Sequence, residues 1–127
     1  MKAKNSIKKN AGFVNKFLKK ELKGNPKQLY DAASHLILHG GKRLRPFLVL
    51  KSCQMLGGKQ SDAMAAASAV EMIHNFTLVH DDIMDNDEMR HGVPTTHKKF
   101  DMPLAILAGD VLYSKAYHTI SSRSKLP

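Results

Sequence analysis

Residues 61–85 read SDAMAAASAVEMIHNFTLVHDDIMD, and this stretch decides the fold. It begins with Ser61 and Asp62, either of which can cap a helix because its side-chain oxygen accepts a hydrogen bond from a free amide of the first turn. An alanine-rich part and a long apolar part follow, and the stretch ends in a group of aspartates. This pattern predicts a helix that packs in the interior and ends in acidic side chains.

The segments on either side also show helical periodicity. The predicted helices are an N-terminal one stopped by Gly24-Asn25-Pro26, one over about 28–38 ended by Gly40-Gly41, one opened by Pro46 and closed by Gly57-Gly58, and one over about 104–120 started by Asp101 and Pro103. Gly92-Val93-Pro94 interrupts the helical pattern before the last predicted helix. No useful stretch alternates with a period of two, so the sequence predicts an all-α protein of about five helices. We expect one domain over 1–127, apparently truncated, because the polar end at 121–127 supplies no closing element.

The positive charge is concentrated at one end of the chain. The 127 residues have a formal net charge of +9. Residues 1–28 hold nine lysines against one acid, Glu21, while the remainder is close to neutral. We therefore expect a solvated lysine face on the first helix and no nucleic-acid partner. No apolar run approaches the ~18 residues of a membrane span, and residues 1–30 lack the apolar region of a signal peptide. The expected location is the cytoplasm.

Five acids fall within eight positions after the apolar run, namely Asp81, Asp82, Asp85, Asp87 and Glu88. Acids at this density repel one another, more strongly if they are partly buried. Asp81 and Asp85 are four residues apart, which places their carboxylates on one helical face. Two hard oxygen ligands suit magnesium, which takes one or two carboxylates and keeps other positions for water and phosphate. The spacing indicates a magnesium site, although a solvated acidic turn is the plainer alternative.

Basic residues flank the acids in sequence. Residues 40–46 read GGKRLRP and place Lys42, Arg43 and Arg45 in a glycine-opened turn before a helix. Glycine lets the backbone approach a ligand closely, and arginine can bind phosphate through two parallel hydrogen bonds. Arg90 lies five residues after Asp85. Acids for a metal and cations for phosphate on consecutive helices are what a magnesium–diphosphate substrate requires.

The sequence resembles the trans-type isoprenyl diphosphate synthases, also called polyprenyl synthetases, and within them geranylgeranyl and farnesyl diphosphate synthases. The resemblance spans about residues 28–115. It rests on GGKRLRP at 40–46, EMIH at 71–74, LVHDDIMDNDEMRHGVPTTH at 78–97 and AGD at 108–110. It implies the N-terminal part of an isoprenoid-synthase-type helical bundle, Mg²⁺ as the cofactor, and a homodimer or larger homo-oligomer.

The resemblance also implies roles for single residues at two diphosphate sites. Asp81 and Asp85 would be the magnesium ligands at the allylic diphosphate, with Asp82 supporting them directly or through water. Arg90 would contact the same diphosphate. The residues implied for isopentenyl diphosphate are Lys42, Arg45 and His74, with His91 where the family usually has a second arginine.

The implied reaction is a prenyl transfer. The allylic carbon–oxygen bond ionises, the double bond of isopentenyl diphosphate attacks the resulting carbocation, and loss of a proton regenerates an allylic product. Phe76, five residues before Asp81, resembles the aromatic floor under the growing chain. It implies a short product such as geranylgeranyl diphosphate, whereas a plain core position is the alternative.

The sequence departs from the family in two ways. His91 replaces an arginine and is only partly charged near neutral pH. Family members are more than twice as long and have a second aspartate-rich motif, whereas only Asp101 and Asp110 follow Glu88 here. We therefore expect the isolated chain, as a fragment, partial sequence or truncated paralogue, to be inactive or nearly so.

Two other hypotheses fit parts of the pattern. His80-Asp81 is the dipeptide of HD-type metal phosphohydrolases, which would leave GGKRLRP and Asp85 unexplained. A non-catalytic helical partner that associates with a full-length synthase is the second. In that case we expect dimer formation without activity of its own.

Overall fold

The computed structural model describes residues 2–124. Their elements in chain order are α1 (Lys2–Glu21), α2 (Lys27–His39), α3 (Leu44–Met55), α4 (Gln60–Met84), β1 (Met89–Arg90), β2 (Val93–Pro94), α5 (Thr96–Lys99) and α6 (Met102–Arg123). The all-α prediction is confirmed, because the only sheet in this part of the chain is a two-stranded antiparallel hairpin. The hairpin and the single-turn α5 lie where the sequence predicts only a break.

Helix α4 lies at the centre of the bundle and packs mainly against α6 and α3, with α1 and α2 completing the core. The fully buried apolar side chains of this core include Val14, Leu18, Leu36, Ile37, Leu50, Met72 and Leu112. Alanines on α4 and α6 are buried between the two helices. Small side chains let helix axes approach closely, which explains why an alanine-rich segment can form the central helix.

Gly109 of α6 lies at a close approach of α4 and α6. It is buried, and a Cβ at this position would overlap the imidazole of His80 on α4. His80 Nε2 donates a hydrogen bond to the backbone oxygen of Ile106 at 3.1 Å. The absence of a side chain at Gly109 therefore allows a polar link between the two helices.

The start of α4 differs in detail from the prediction. Lys59 is the N-cap, and Asp62 lies at the third helical position, where its carboxylate accepts a hydrogen bond from the Lys59 amide at 3.1 Å. The prediction of Ser61 or Asp62 as the cap is therefore wrong. Asp62 still stabilises the helix start, since an acid at this position can bond back to the capping residue. The predicted start of α6 is confirmed by Asp101, whose side chain accepts from the Leu104 amide at 2.8 Å.

Helix α6 ends at Arg123, slightly beyond the predicted end near Ile120, and the expectation of a truncated domain stays a prediction. The Ser121 and Ser122 hydroxyls donate to the His118 backbone oxygen, which keeps these polar side chains compatible with the helix. Arg123 Nε lies 2.9 Å from the buried Glu21 carboxylate of α1. Residues 125–127 lie outside the described residues. Within residues 2–124, no helix is both long and apolar enough to cross a membrane.

Candidate functional site

The aspartates lie at the C-terminal end of α4. Asp81 is in its last turn and Asp85 is the C-cap, with the Asp85 amide donating to the Asp81 backbone oxygen at 2.8 Å. Both side chains are exposed, and neither carboxylate has a hydrogen bond or ion pair within residues 2–124. A helix C-terminus carries partial negative charge, so acids there are unfavourable unless a cation binds. These two carboxylates fit a hard cation that takes one or two protein ligands.

The Asp82 side chain is buried, unlike the exposed side chains of Asp81 and Asp85. It is only 1% exposed, and its two oxygens accept hydrogen bonds from Arg90 Nε at 3.0 and 2.9 Å and from Nη2 at 2.8 Å. The hydrogen bonds with Asp82 and the charges of Asp82, Asp87 and Asp81 raise the pKa of Arg90 above its ordinary value, although partial burial opposes them. Arg90 Nη1 has no hydrogen-bond partner among the described residues. The pair therefore fixes β1 against α4 and leaves one guanidinium nitrogen for a ligand.

A basic cavity of about 490 Å³ lies beside this helix end. Its lining includes the four residues implied for isopentenyl diphosphate, namely Lys42, Arg45, His74 and His91. Arg45 Nη1 lies 3.4 Å from His74 Nε2 and is its hydrogen-bond donor. Burial lowers the pKa of His74 below 6.5, and the Arg45 charge lowers it further, against the opposing effect of Glu71. Because a guanidinium can only donate, His74 Nε2 is the acceptor of this hydrogen bond, which fixes the two side chains relative to each other.

The hairpin brings His91 to the mouth of this cavity. His91 has a positive φ of 54°, and its ring lies over Gly40, where a Cβ would be 2.7 Å from the imidazole Cγ. Its neighbour Arg90 binds Asp82 on the other side. Although Arg90 and His91 are consecutive, Arg90 therefore faces the acidic end of α4 and His91 faces the basic cavity.

Arg43 differs from its neighbours Lys42 and Arg45. It is 4% exposed and forms a buried ion pair of 3.0 Å with Glu71 on α4, whereas Lys42 and Arg45 are exposed. All three cations of the turn line the cavity, but Arg43 is buried and paired with Glu71, whereas Lys42 and Arg45 are exposed. Sequence reasoning missed this pair and the Asp82–Arg90 pair. The only sign of these pairs in the sequence was the presence of acidic and basic residues within the motifs.

Phe76 lies between α4 and α6, half-buried against the core. Its ring makes edge-to-face contacts with His80 at 4.7 Å and Tyr113 at 5.3 Å between centroids. Further along the same helix pair is an apolar groove of about 230 Å³, lined by Ala69, Val70, Ile73, Ala116, Tyr117 and Ile120. Phe76 is therefore a partly accessible aromatic residue and not only a core side chain.

The HD-type hypothesis fails on the orientation of its histidine. The His80 Nε2 donates to the Ile106 backbone oxygen of α6, and the ring makes an edge-to-face contact with Phe76, so this nitrogen is not available to ligate a metal. Among residues 2–124, no group of three or more histidine, cysteine, aspartate or glutamate side chains is arranged to hold a metal ion. Any metal at Asp81 and Asp85 would complete its coordination with substrate and water oxygens.

The chain matches the polyprenyl synthetase family over residues 26–126. It is 51% identical to a geranylgeranyl diphosphate synthase of Saccharolobus solfataricus over 112 residues, which is 88% of this chain and 34% of that protein. A geranylgeranyl pyrophosphate synthase of Geoglobus acetivorans is 51% identical over 122 residues, which is 95% of this chain and 38% of that protein. The chain thus spans about a third of the length of these relatives.

Solved structures show the same likeness. The geranylgeranyl pyrophosphate synthetase of Geoglobus acetivorans superposes with a TM-score of 0.90 at 52% identity, over 95% of this chain and 40% of that one. The corresponding enzyme of Pyrococcus horikoshii Ot3 gives 0.92 at 45% identity, over 98% of this chain and 38% of that one. The helical bundle is therefore of the isoprenyl synthase class. Within that class, the chain belongs to the polyprenyl synthetase family.

Proposed function

We propose that this chain forms part of a magnesium-dependent prenyltransferase, which condenses isopentenyl diphosphate with an allylic diphosphate in isoprenoid biosynthesis. The observation that carries the proposal is the hairpin at Arg90-His91. It joins an acidic helix end with free carboxylates to a cavity lined by basic side chains. The relatives named as geranylgeranyl diphosphate synthases support a short-chain product of that type.

In this proposal, Asp81 and Asp85 hold magnesium at the allylic diphosphate. The chemistry that the ion supplies when bound is neutralisation of diphosphate charge, which makes diphosphate a better leaving group. Arg90 donates through its free Nη1 while Asp82 holds its other nitrogens. Asp82 therefore supports the site by orienting Arg90, because its two oxygens are already bonded.

The basic cavity would bind isopentenyl diphosphate. Lys42 and Arg45 provide positive charge at its rim, and arginine offers a planar pair of donors that matches phosphate oxygens. His74 orients Arg45 through Nε2. His91 adds a donor at the mouth of the cavity.

Phe76 is the proposed limit on product length. Its ring stands between the end of α4 and the apolar groove further along α4 and α6. A smaller side chain would connect the site to that groove. In a form of the protein that turns over, Phe76→Ala is expected to lengthen the product, and an unchanged product distribution would contradict this role.

The proposal is tested by titrating the chain with farnesyl diphosphate, with and without Mg²⁺, in isothermal titration calorimetry. We expect saturable binding that depends on Mg²⁺ in the native chain and loses that dependence in Asp81→Asn and Asp85→Asn. Equal binding by the variants would contradict the assigned ligands. Turnover by the 127-residue chain alone would contradict the prediction that it is inactive.

A non-catalytic partner of a full-length synthase is the second candidate. It is favoured by the exposed apolar side chains of α6, which include Ile106, Leu107, Tyr113, Tyr117 and Ile120. Homodimer formation and a cytoplasmic location remain predictions. Analytical ultracentrifugation of the chain, alone and mixed with an archaeal geranylgeranyl diphosphate synthase, separates self-association from formation of a mixed dimer.

A further inference from the structure

The turn of residues 40–45, which carries Lys42 and Arg45, has a backbone that its own sequence does not favour. Arg43 adopts a left-handed conformation with φ 55° and ψ 34°, and it is the N-cap of α3. Gly41 has a φ of 99°, and a Cβ there would lie 2.9 Å from Arg43 Nη1. Left-handed geometry at a residue with a side chain persists only where its surroundings determine it.

Those surroundings are the partners of the Arg43 guanidinium. Nε donates to Asn15 Oδ1 of α1 at 2.7 Å, and Nη1 donates to Glu71 of α4 at 3.0 Å and to the Gly40 backbone oxygen at 2.9 Å. Nη2 donates to the Ile37 backbone oxygen near the end of α2. One buried side chain therefore connects three helices directly beneath the turn.

Glu71 is held on its other side as well. Its Oε1 also accepts from Asn75 Nδ2 at 3.3 Å, and Asn75 bonds the Glu71 backbone oxygen at 2.9 Å. Arg43 and Glu71 also lie in the lining of the cavity, but their side chains are only 3% and 5% exposed and their charges are paired with each other. A buried pair of this kind is weak evidence of a stabilising role, because desolvation of both charges offsets their attraction.

We infer that Arg43 and Glu71 are positioning residues for diphosphate binding, which hold the turn so that Lys42 and Arg45 project together into the basic cavity. The inference rests on the proposed function of that cavity. Arg43 follows Lys42 directly and precedes Arg45 by two residues, so a shift of its backbone moves both. A small displacement of binding groups lowers affinity strongly, whereas a role in stability alone would leave the affinity of the folded protein unchanged.

Asn15→Ala is the most discriminating variant. Asn15 is on α1 and does not line the cavity, and its side chain accepts a hydrogen bond from Arg43, so Asn15→Ala disturbs Arg43 without removing a lining residue. Arg43→Lys keeps the charge but loses the planar set of donors, and Glu71→Gln keeps an acceptor but loses the charge. Glu21→Gln is the matched control, since Glu21 is also a buried acid with basic partners, Arg123 and Lys115, but lines no part of the cavity.

The experiment is a calorimetric titration of the 127-residue chain and each variant with inorganic diphosphate, beside thermal unfolding without ligand. We expect Arg43→Lys and Glu71→Gln to weaken binding about tenfold or more at temperatures where each is folded, and Asn15→Ala to weaken it by a smaller factor. Glu21→Gln should lower the melting temperature and leave the affinity unchanged.

Four outcomes would overturn the inference. Native affinity in folded Arg43→Lys and Glu71→Gln would reject it and leave the proposed function intact. Equal weakening in Glu21→Gln would show that affinity only follows stability. Absence of saturable diphosphate binding by the native chain would reject the proposed function together with the inference. If Arg43→Lys does not fold, Asn15→Ala decides, and an unchanged affinity in that variant rejects the inference.

Discussion

Asp82 and Arg90 are joined by three hydrogen bonds of 2.8–3.0 Å, which connect the buried end of α4 to the first strand of the hairpin. The two residues are eight apart in sequence and bracket the exposed acidic turn. The pair therefore holds in place the short segment that separates the acidic helix end from the basic cavity.

Arg90→Ala should destabilise the fold, because it leaves the Asp82 carboxylate buried without its partner. We expect the free energy of unfolding to fall by about 2–4 kcal/mol, somewhat below the range for fully buried pairs since Arg90 is partly exposed. Urea unfolding at pH 7 provides the measurement. Lys98→Ala is the control, since its pair with Glu88 is exposed at 3.9 Å and its loss should change stability by less than about 0.5 kcal/mol. Equal effects in the two variants would contradict the anchoring role.

Asp81→Asn and Asp85→Asn should have the opposite effect on stability. Their carboxylates lie at the negative end of the α4 dipole without protein partners, so their neutralisation should stabilise the metal-free fold by about 0.3–0.5 kcal/mol. Mg²⁺ with diphosphate should raise the melting temperature of the native chain but not of these variants. Glu88→Gln is the control within the same acidic segment and should keep the Mg²⁺ response. A retained response in Asp81→Asn would exclude this residue as a ligand.

His35 predicts the pH dependence of stability. Burial lowers its pKa below 6.5, with further lowering by the charges of Lys99 and His39 and an opposing effect from its hydrogen bond to the Pro94 backbone oxygen. The unfolded chain therefore binds a proton more readily than the folded chain. The free energy of unfolding should have its full value above pH 6.5. It should decrease as the pH falls from 6.5 toward the lower pKa that His35 has in the folded state.

Urea unfolding at pH 8.0 and 5.5 measures this loss, and His35→Gln supplies the comparison because its amide can still donate to Pro94. The variant should show a smaller difference between the two pH values than the native chain. Part of the pH difference in stability that remains in His35→Gln is expected to come from His74, whose pKa is also lowered. An unchanged pH difference in His35→Gln would show that other groups are responsible.

Substitution of glycine by alanine is expected to have opposite effects on stability at two positions. Gly109→Ala places a Cβ against His80, and overpacking of this kind should destabilise the chain by about 1–3 kcal/mol. Gly12→Ala is in the interior of α1 with open space around it and should stabilise by about 0.5–1 kcal/mol. Thermal unfolding of both variants provides the measurement. Equal tolerance at the two positions would contradict the close approach of α4 and α6.

Much of the helical framework follows from local patterns. The long apolar and alanine-rich stretch predicts α4 because it is longer than a typical strand and its apolar residues recur with helical spacing. Asp101 predicts the start of α6 because a capping hydrogen bond forms with a residue close by in the sequence. The hairpin is not predictable in the same way, since its strands have two residues each and leave no periodicity. The extension of α6 to Arg123 depends on a contact with Glu21, about a hundred positions away.

The candidate site shows the same division. The one-turn spacing of Asp81 and Asp85 is a property of the helix itself and could be read from sequence. The burial of Asp82 could not, because it depends on a chain reversal that returns Arg90 to the helix end. Arg43 could not be distinguished from Lys42 either, since only the position of Glu71 in space makes one cation internal.

Arg90 and His91 are consecutive, so covalent geometry limits the distance between the groups that they are proposed to bind. Adjacent Cα atoms across a trans peptide are about 3.8 Å apart, whatever the packing of the surrounding helices. Substitutions in the hydrophobic core can therefore loosen or tighten the bundle while the Cα atoms of Arg90 and His91 stay the same distance apart. Insertion of a single residue between them would separate the two sites by a full peptide unit.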